Sequence, residues 1–461
     1  MKEQRHSPLG VCPAASPKGE TVSIYVDRNH PLLQLQRALP WEAIFAVMTR
    51  HWRQAGKNVD GRPGLGWDVS LYGPLVVLML VKNLNSRAME AYVAENVVAR
   101  VFIGRQDDPL PQIRDHSNIA RAYAALGKAG VEEVNALVLH VAKDYGFADP
   151  QTLSSDTTAQ ELPIGYPNEP GILRGLAQRC GRALHKLKRL GVWGVDAALE
   201  QVQTILVSVK EHHLFAKGQA AKRQVLVRLL TEVGQLMVQT RPIVARLAHH
   251  GERGVHHATS ILMAMHEVAK GLIPQIVQWI TTGVVAKGKI LHAGITQARA
   301  IVRNKAGKKV EFGLPYLLSR IGGGYVFGTL IQGVVDETKM PLDALAGYRA
   351  IFGPQATPML VVYDRGGDAP STVAQLAQEG VQQIGIQPRG KRPWRVAEGA
   401  RAQVRSERGQ TEGIIGTLKS EKYKFNKPKE RLWQTLERAG PKSILSFNLN
   451  KLMRDVVQAG Q

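Results

Sequence analysis

Apolar residues in the first third of the chain recur at spacings of three and four, the period at which one stripe of a helix faces a core. Between His30 and Gly146 the runs PLLQLQRAL, WEAIFAVM and MEAYVAENVVARVF carry this period, and GRPGLG at Gly61–Gly66 separates two of the helices. The pattern predicts an all-α domain of about four to six helices. In DHSNIARAYAAL, from Asp115, Ser117 is the expected N-cap. The segment can open a helix-turn-helix, but no spacing in it is diagnostic and an ordinary helical hairpin is the preferred reading.

After Gly146 the texture changes. TLSSDTTAQELP, Thr152–Pro163, reads as a short strand ending on an acid. From Gly171 to Asn304 the helical period returns, as in VLVRLLTEVGQLMV, with a polar break at His249–Gly254. This predicts a helical hairpin or small bundle inserted into another domain. Strand patterns resume with VEFGLPYLL from Val310, GGYVFGTLIQGVV from Gly323, MLVVY from Met359 and VQQIGI from Val381. Ser371–Glu379 reads as a helix closed by Gly380. Without the helical excursion, the order of elements is that of a compact mixed α/β unit.

Composition adds a partner to this outline. A chain of 461 residues exceeds what one core holds, so two or three domains are expected. Sixty Lys and Arg against 38 Asp and Glu give a net charge of +22, which favours a polyanion, nucleic acid first. The longest apolar run, Pro74–Val81, is far shorter than the roughly 20 residues of a membrane span, so a membrane role is set aside. The first 25 residues, rich in Ser, Pro, Lys and Gly, lack a signal-peptide core and read as a mobile leader. Cys12 and Cys180 are the only cysteines, which argues against a disulfide framework or zinc site and fits a reducing cytoplasm.

Three acids stand out by position: Asp156 at the end of the first strand, Asp364 directly after LVVY, and Glu412 in RSERGQTEGIIGTLKS. Carboxylates are the hard oxygen ligands that Mg²⁺ and Mn²⁺ prefer. A pair of such ions about 3.5–4 Å apart activates the attacking oxygen and stabilises the leaving oxygen of a phosphodiester. Arg405, Arg408, Glu412 and Lys419 share a helix stripe, which suits either a ligand among phosphate-binding cations or a solvated helix with an intrahelical ion pair. Gly409, Gly413 and Gly416 form a second stripe, each destabilising a helix interior by roughly 1 kcal/mol. They predict close backbone approach, or a helix that begins later.

Other polar residues have plainer expectations. Asp368, ahead of APST, is expected to cap the following helix; Glu161 reads as a loop acid, and Glu407 and Glu421 fall off the Glu412 stripe. His249, His250, His256, His257 and His266 read as a solvated elbow rather than a metal site. Arg389, Lys391 and Arg392 form either a phosphate contact or an ordinary basic loop. Lys422 and Lys424 alternate with Tyr423 and Phe425, which favours nucleic acid, and Trp433 is a candidate core anchor there.

Together these residues resemble the DDE-type transposases of bacterial insertion sequences, in the group whose last acid lies in a Tyr/Arg/Glu/Lys signature. Arg408, Glu412 and Lys419 match that spacing, and Arg405 stands at the tyrosine position. DTTAQELPIGYPNEPGIL from Asp156 resembles the first-acid motif and VVYDRG the second-acid strand. HPLLQL, GRPGL and DHSNIAR are similar to the helical region that precedes catalysis, and SILSFNLNKLMRD, Ser443–Asp455, to the terminal helix.

The resemblance implies a ribonuclease-H-like mixed sheet in which Asp156, Asp364 and Glu412 bind two Mg²⁺, with Mn²⁺ able to substitute. It implies nicking at the terminal inverted repeats, attack of the freed 3′-hydroxyl on target DNA, and a homodimer that pairs two ends. The layout expected is a leader over 1–29, an all-α DNA-binding or dimerisation domain over 30–146, a catalytic domain over 147–170 and 305–425, the helical insertion over 171–304, and a basic helical tail over 426–461. Two other readings stay open: a structure-specific nuclease on the same fold, and a catalytically silent DNA-binding descendant.

Overall fold

The computed structural model describes residues 24–59, 67–106, 115–302, 310–390, 392–430 and 432–460. They divide into two compact units, one within Met1–Phe147 and Ser446–Gln461, the other within Ala148–Leu445. Residues 1–23 of the expected leader, the GRPGLG loop and Lys391 lie outside the described residues.

The first unit is helical: α1 (Pro31–Ala38), α2 (Trp41–Gln54), α3 (Val69–Lys82), α4 (Ser86–Glu95), α5 (Val97–Phe102) and α6 (His116–Asp144). Short polar side chains start several of them. Asp68, Asn85 and Asn96 each accept a backbone N–H from the first turn of α3, α4 and α5. The cap of α6 is Asp115 rather than the expected Ser117, whose own N–H donates to the Asp115 carboxylate at 2.9 Å. At Gly127 the backbone turns to φ 69°, a conformation glycine adopts without strain, and α6 breaks into two helical stretches.

The apolar run Pro74–Val81 is buried on every side of α3, as a helix apolar all round must be. Among the described residues no single helix is long and apolar enough to cross a membrane. Residues 446–460 of the chain's last helix belong to this unit. There Ser446 and Asn450 donate to the Leu80 and Val81 carbonyls at the end of α3, and buried Asn448 donates to Asn135.

The second unit is built on a six-stranded mixed sheet. Its strands are β1 (Asp149–Glu161), β2 (Arg299–Val302), β3 (Val310–Gly322), β4 (Val326–Leu330), β5 (Leu360–Tyr363) and β6 (Gln383–Ile386). The order is β2-β3-β1-β5-β6, with β4 also on β3; β1 is antiparallel to β3 and parallel to β5. Glu161, read as a loop acid, is the last residue of β1. Asp156 lies inside the strand rather than at its end. The equally long β3 pairs with β1 well beyond the point where β5 stops.

Between β1 and β2 run α7 (Glu169–Arg189), α8 (Asp196–Leu214), α9 (Gly218–Leu247) and α10 (Arg253–Thr282). Leu173, Leu184, Leu229, Leu236 and Leu262 meet in a core of their own, with Cys180, whose thiol burial pushes up to about 12. The excursion is therefore a bundle, and its sequence-predicted end at Asn304 overlaps β2. His249, His250, His256 and His257 are exposed around the α9–α10 turn, while His266 meets the Thr240 hydroxyl at 2.9 Å.

The remaining helices are α11 (Met340–Phe352), α12 (Pro370–Gln378), α13 (Glu398–Lys419), α14 (Trp433–Leu436) and α15 (Ala439–Ala459). Gly380, at φ 88°, closes α12 as the pattern predicts. In α14 the buried residue is Leu436, and Trp433 is half-buried.

Candidate active site

In the parallel ladder, Thr152, Leu153 and Ser154 of β1 pair with Leu360, Val361 and Val362 of β5. Asp156 and Asp364 each lie two residues past the last ladder pair, Ser154 and Val362. Side chains alternate along a strand, so Asp156 shares the sheet face of Ser154, and Asp364 follows the last residue of β5. That face carries α13. The Thr411 hydroxyl donates to Ser154 Oγ at 2.8 Å, and Val404 packs on Leu360 and Val362. A Cβ on Gly385 of β6 would stand 2.7 Å from Val404, so glycine there permits the close approach of α13.

A second anchor comes from β3. Arg320, 4 % exposed, pairs with Glu407 and also donates to Gln410 of α13. Glu407, dismissed by its spacing, is thus the buried counter-ion that seats the helix. Glu412 follows Thr411 directly, yet its side chain is 63 % exposed and lies 3.8 Å from Arg408. Asp156 and Asp364 thus follow paired positions on neighbouring strands, and the Glu412 side chain is exposed on α13. Among the described residues no three Asp, Glu, His or Cys side chains stand together as a metal-binding group.

The glycine stripe has neither predicted cause. The helix begins at Glu398, ahead of the stripe, and a Cβ on Gly409, Gly413 or Gly416 would meet nothing within 4 Å. Of the cation stripe, Arg405 is exposed and Lys419 lies 3.6 Å from Glu311. Lys422 and Lys424 are exposed, but Tyr423 and Phe425 between them are buried, Phe425 edge-on to Tyr316 at 5.2 Å. The rings belong to the core and are not a stacking platform.

In the turn after β5 the capping side chain is Asp364 rather than the expected Asp368. Asp364 caps a 3-10 turn, Arg365–Gly367, by accepting the Gly366 N–H at 2.7 Å. Asp368 caps nothing; α12 has no side-chain cap. It is buried and accepts the Arg389 N–H and an Arg395 guanidinium N–H, each at 2.6 Å, together with Arg392. Burial pushes its carboxyl upward, but the Arg389 N–H and the two guanidinium groups outweigh it and hold the carboxyl below the usual range. Arg389 also donates to the Arg365 and Gly366 carbonyls. Arg389 and Arg392, candidate phosphate contacts in sequence, are therefore engaged in fixing the turn that carries Asp364.

Glu337, in the loop before α11, carries no sequence signal. It accepts hydroxyl hydrogens from Thr157, at 2.7 Å, and from Tyr363. Burial, then Glu337, Asp364 and Asp156, push the Tyr363 hydroxyl far upward. Thr157 and Glu337 also line a cavity of about 610 Å³ with Tyr166, Phe312, Lys287 and Arg299.

Residues 20–125 match the family model of a transposase domain, DUF772. The match covers the helical region from the start of the first unit into α6 and none of the three acids. Neither a curated protein nor a solved structure matches the chain.

Proposed function

We propose that the chain is a DDE-type transposase whose second unit is a ribonuclease-H-like catalytic domain, with Asp156, Asp364 and Glu412 as its carboxylates. The observation that carries the reading is the parallel pairing of Ser154 with Val362, two residues before Asp156 and Asp364, on the face where α13 packs. The transposase-domain match in the helical region ahead of them supports it, as does a sheet with antiparallel strands on one side of β1 and parallel strands on the other.

The donor chemistry suits Mg²⁺ or Mn²⁺: hard carboxylate oxygens from Asp156 and Asp364, with Glu412 of α13 as the third donor. Such ions, when bound, polarise the scissile phosphate and favour an oxygen nucleophile. The chain's own residues present and orient. The β1–β3 ladder holds Asp156, and the Gly366 N–H holds Asp364. Arg408, now 3.8 Å from Glu412, would exchange that partner for a DNA phosphate when Glu412 turns to the aspartates. Arg405, Lys422 and Lys424 extend the basic surface along the backbone. No protein nucleophile is required, because water and then a 3′-hydroxyl attack phosphorus.

The partners under this reading are the terminal inverted repeats and target DNA, with two copies of the chain pairing two ends in a cytoplasmic complex. The test is incubation of purified protein with DNA carrying the repeats that flank its coding region. Cleavage at the repeat ends and joined products, both requiring Mg²⁺ or Mn²⁺, are expected. Cleavage of branched DNA without joining would replace the reading with the nuclease; binding without cleavage would replace it with the silent protein.

A further inference from the structure

The β1–β5 ladder ends at Ser154 and Val362, one residue short of the neighbours of the two acids and two short of the acids themselves. Two like charges close together repel, so the two strands would part where they are no longer laddered to each other. Glu337 spans this gap. Thr157, which donates to one of its oxygens, directly follows Asp156; Tyr363, which donates to the other, directly precedes Asp364. We propose that Glu337 is a positioning residue, a carboxylate clasp that holds β1 to the end of β5 so that Asp156 and Asp364 stay side by side to bind divalent cation.

The alternation of strand side chains supports this assignment. Thr157 and Tyr363 point to the sheet face opposite Asp156 and Val362. The clasp therefore closes from the face opposite α13. Each Glu337 oxygen accepts one hydroxyl hydrogen, which fixes the carboxylate between the two strands. Tyr363 is fully buried, and its hydroxyl donates to Glu337. Gly366 makes room for the arrangement, since a Cβ there would meet Asp364 Oδ1 at 2.8 Å and Glu337 Cβ at 3.1 Å.

The inference rests on the proposed catalytic reading, and its test separates the two. Mn²⁺ binding to the full chain is followed by electron paramagnetic resonance for wild type, Asp364→Asn, Glu337→Gln and Tyr363→Phe. Melting temperature and DNA binding without divalent metal are measured alongside. Loss of a partner behind a metal ligand weakens affinity by about tenfold or more. Glu337→Gln and Tyr363→Phe should each show that loss with unchanged DNA binding, and Asp364→Asn a complete loss. Wild-type affinity in both clasp variants overturns the inference. Complete loss in Glu337→Gln with wild-type affinity in Tyr363→Phe overturns it in favour of a direct ligand. A chain that binds Mn²⁺ through Asp364 and needs the clasp, yet never cleaves, overturns the catalytic reading alone; a wild-type chain that binds no Mn²⁺ overturns both.

Discussion

Arg320 of β3 and Glu407 of α13 form an ion pair with side chains only 5 % and 14 % exposed, and it fastens the helix that carries Glu412 to the sheet that carries Asp156. Removing one member leaves the other charged and buried, which costs about 3–5 kcal/mol. Arg320→Ala and Glu407→Ala are each expected to lower unfolding free energy by that amount in urea titration. The double variant Arg320→Met, Glu407→Leu should recover most of it, because a well-packed apolar pair replaces the ions.

Asp368 gives a pH dependence with a defined sign. Its folded carboxyl titrates below the unfolded one, held down by the Arg389 N–H and by Arg395 and Arg392. Its contribution is therefore fully present above the unfolded value of about 4 and is lost as pH falls through the lower folded value. Asp368→Asn should reduce stability at pH 7 by about 2 kcal/mol, discounted because Arg392 and Arg395 are partly exposed. Denaturation curves of variant and wild type should converge as pH falls from about 4 through the lower folded value.

Gly409, Gly413 and Gly416 face open space on α13. Alanine at each should raise stability by roughly 0.5–1 kcal/mol, since helix formation then loses less backbone entropy. Thermal melting of the three single variants checks this; a drop in any one would reveal a contact at that position.

Phe425 and its flanking lysines separate core from surface. Phe425→Ala should destabilise by about 3–5 kcal/mol through the cavity left against Tyr316. Lys422→Ala and Lys424→Ala should leave stability within about 0.5 kcal/mol. Under the DNA-binding reading each should flatten the salt dependence of DNA affinity by about one unit of log–log slope.

What was legible in the sequence follows from how local each signal is. Helical period placed the helices flanking Gly61–Gly66 and the bundle after β1, and Gly380 marked the end of α12, because these depend on neighbours a few residues apart. LVVY followed by Asp364 likewise revealed a strand that ends on an acid. Asp156 read as a strand terminus because the length of β1 is set by β3, more than 150 residues downstream. The partners of Asp368 lie 21 to 27 residues away, so its spacing suggested a cap. Tyr423 and Phe425 looked like stacking rings because alternation with lysine does not tell which face is buried. Glu337 was invisible, since its meaning lies in Thr157 and Tyr363, brought to it only by the fold.

The central claim is that Asp156 and Asp364 form one metal-binding pair for DNA cleavage and joining. Its most direct test is single-turnover cleavage of repeat-end DNA by Asp156→Asn and Asp364→Asn beside wild type, with DNA affinity measured on the same samples. The account predicts wild-type affinity and a loss of cleavage and joining of at least about a thousandfold in both variants. Cleavage near the wild-type rate in either variant would contradict it.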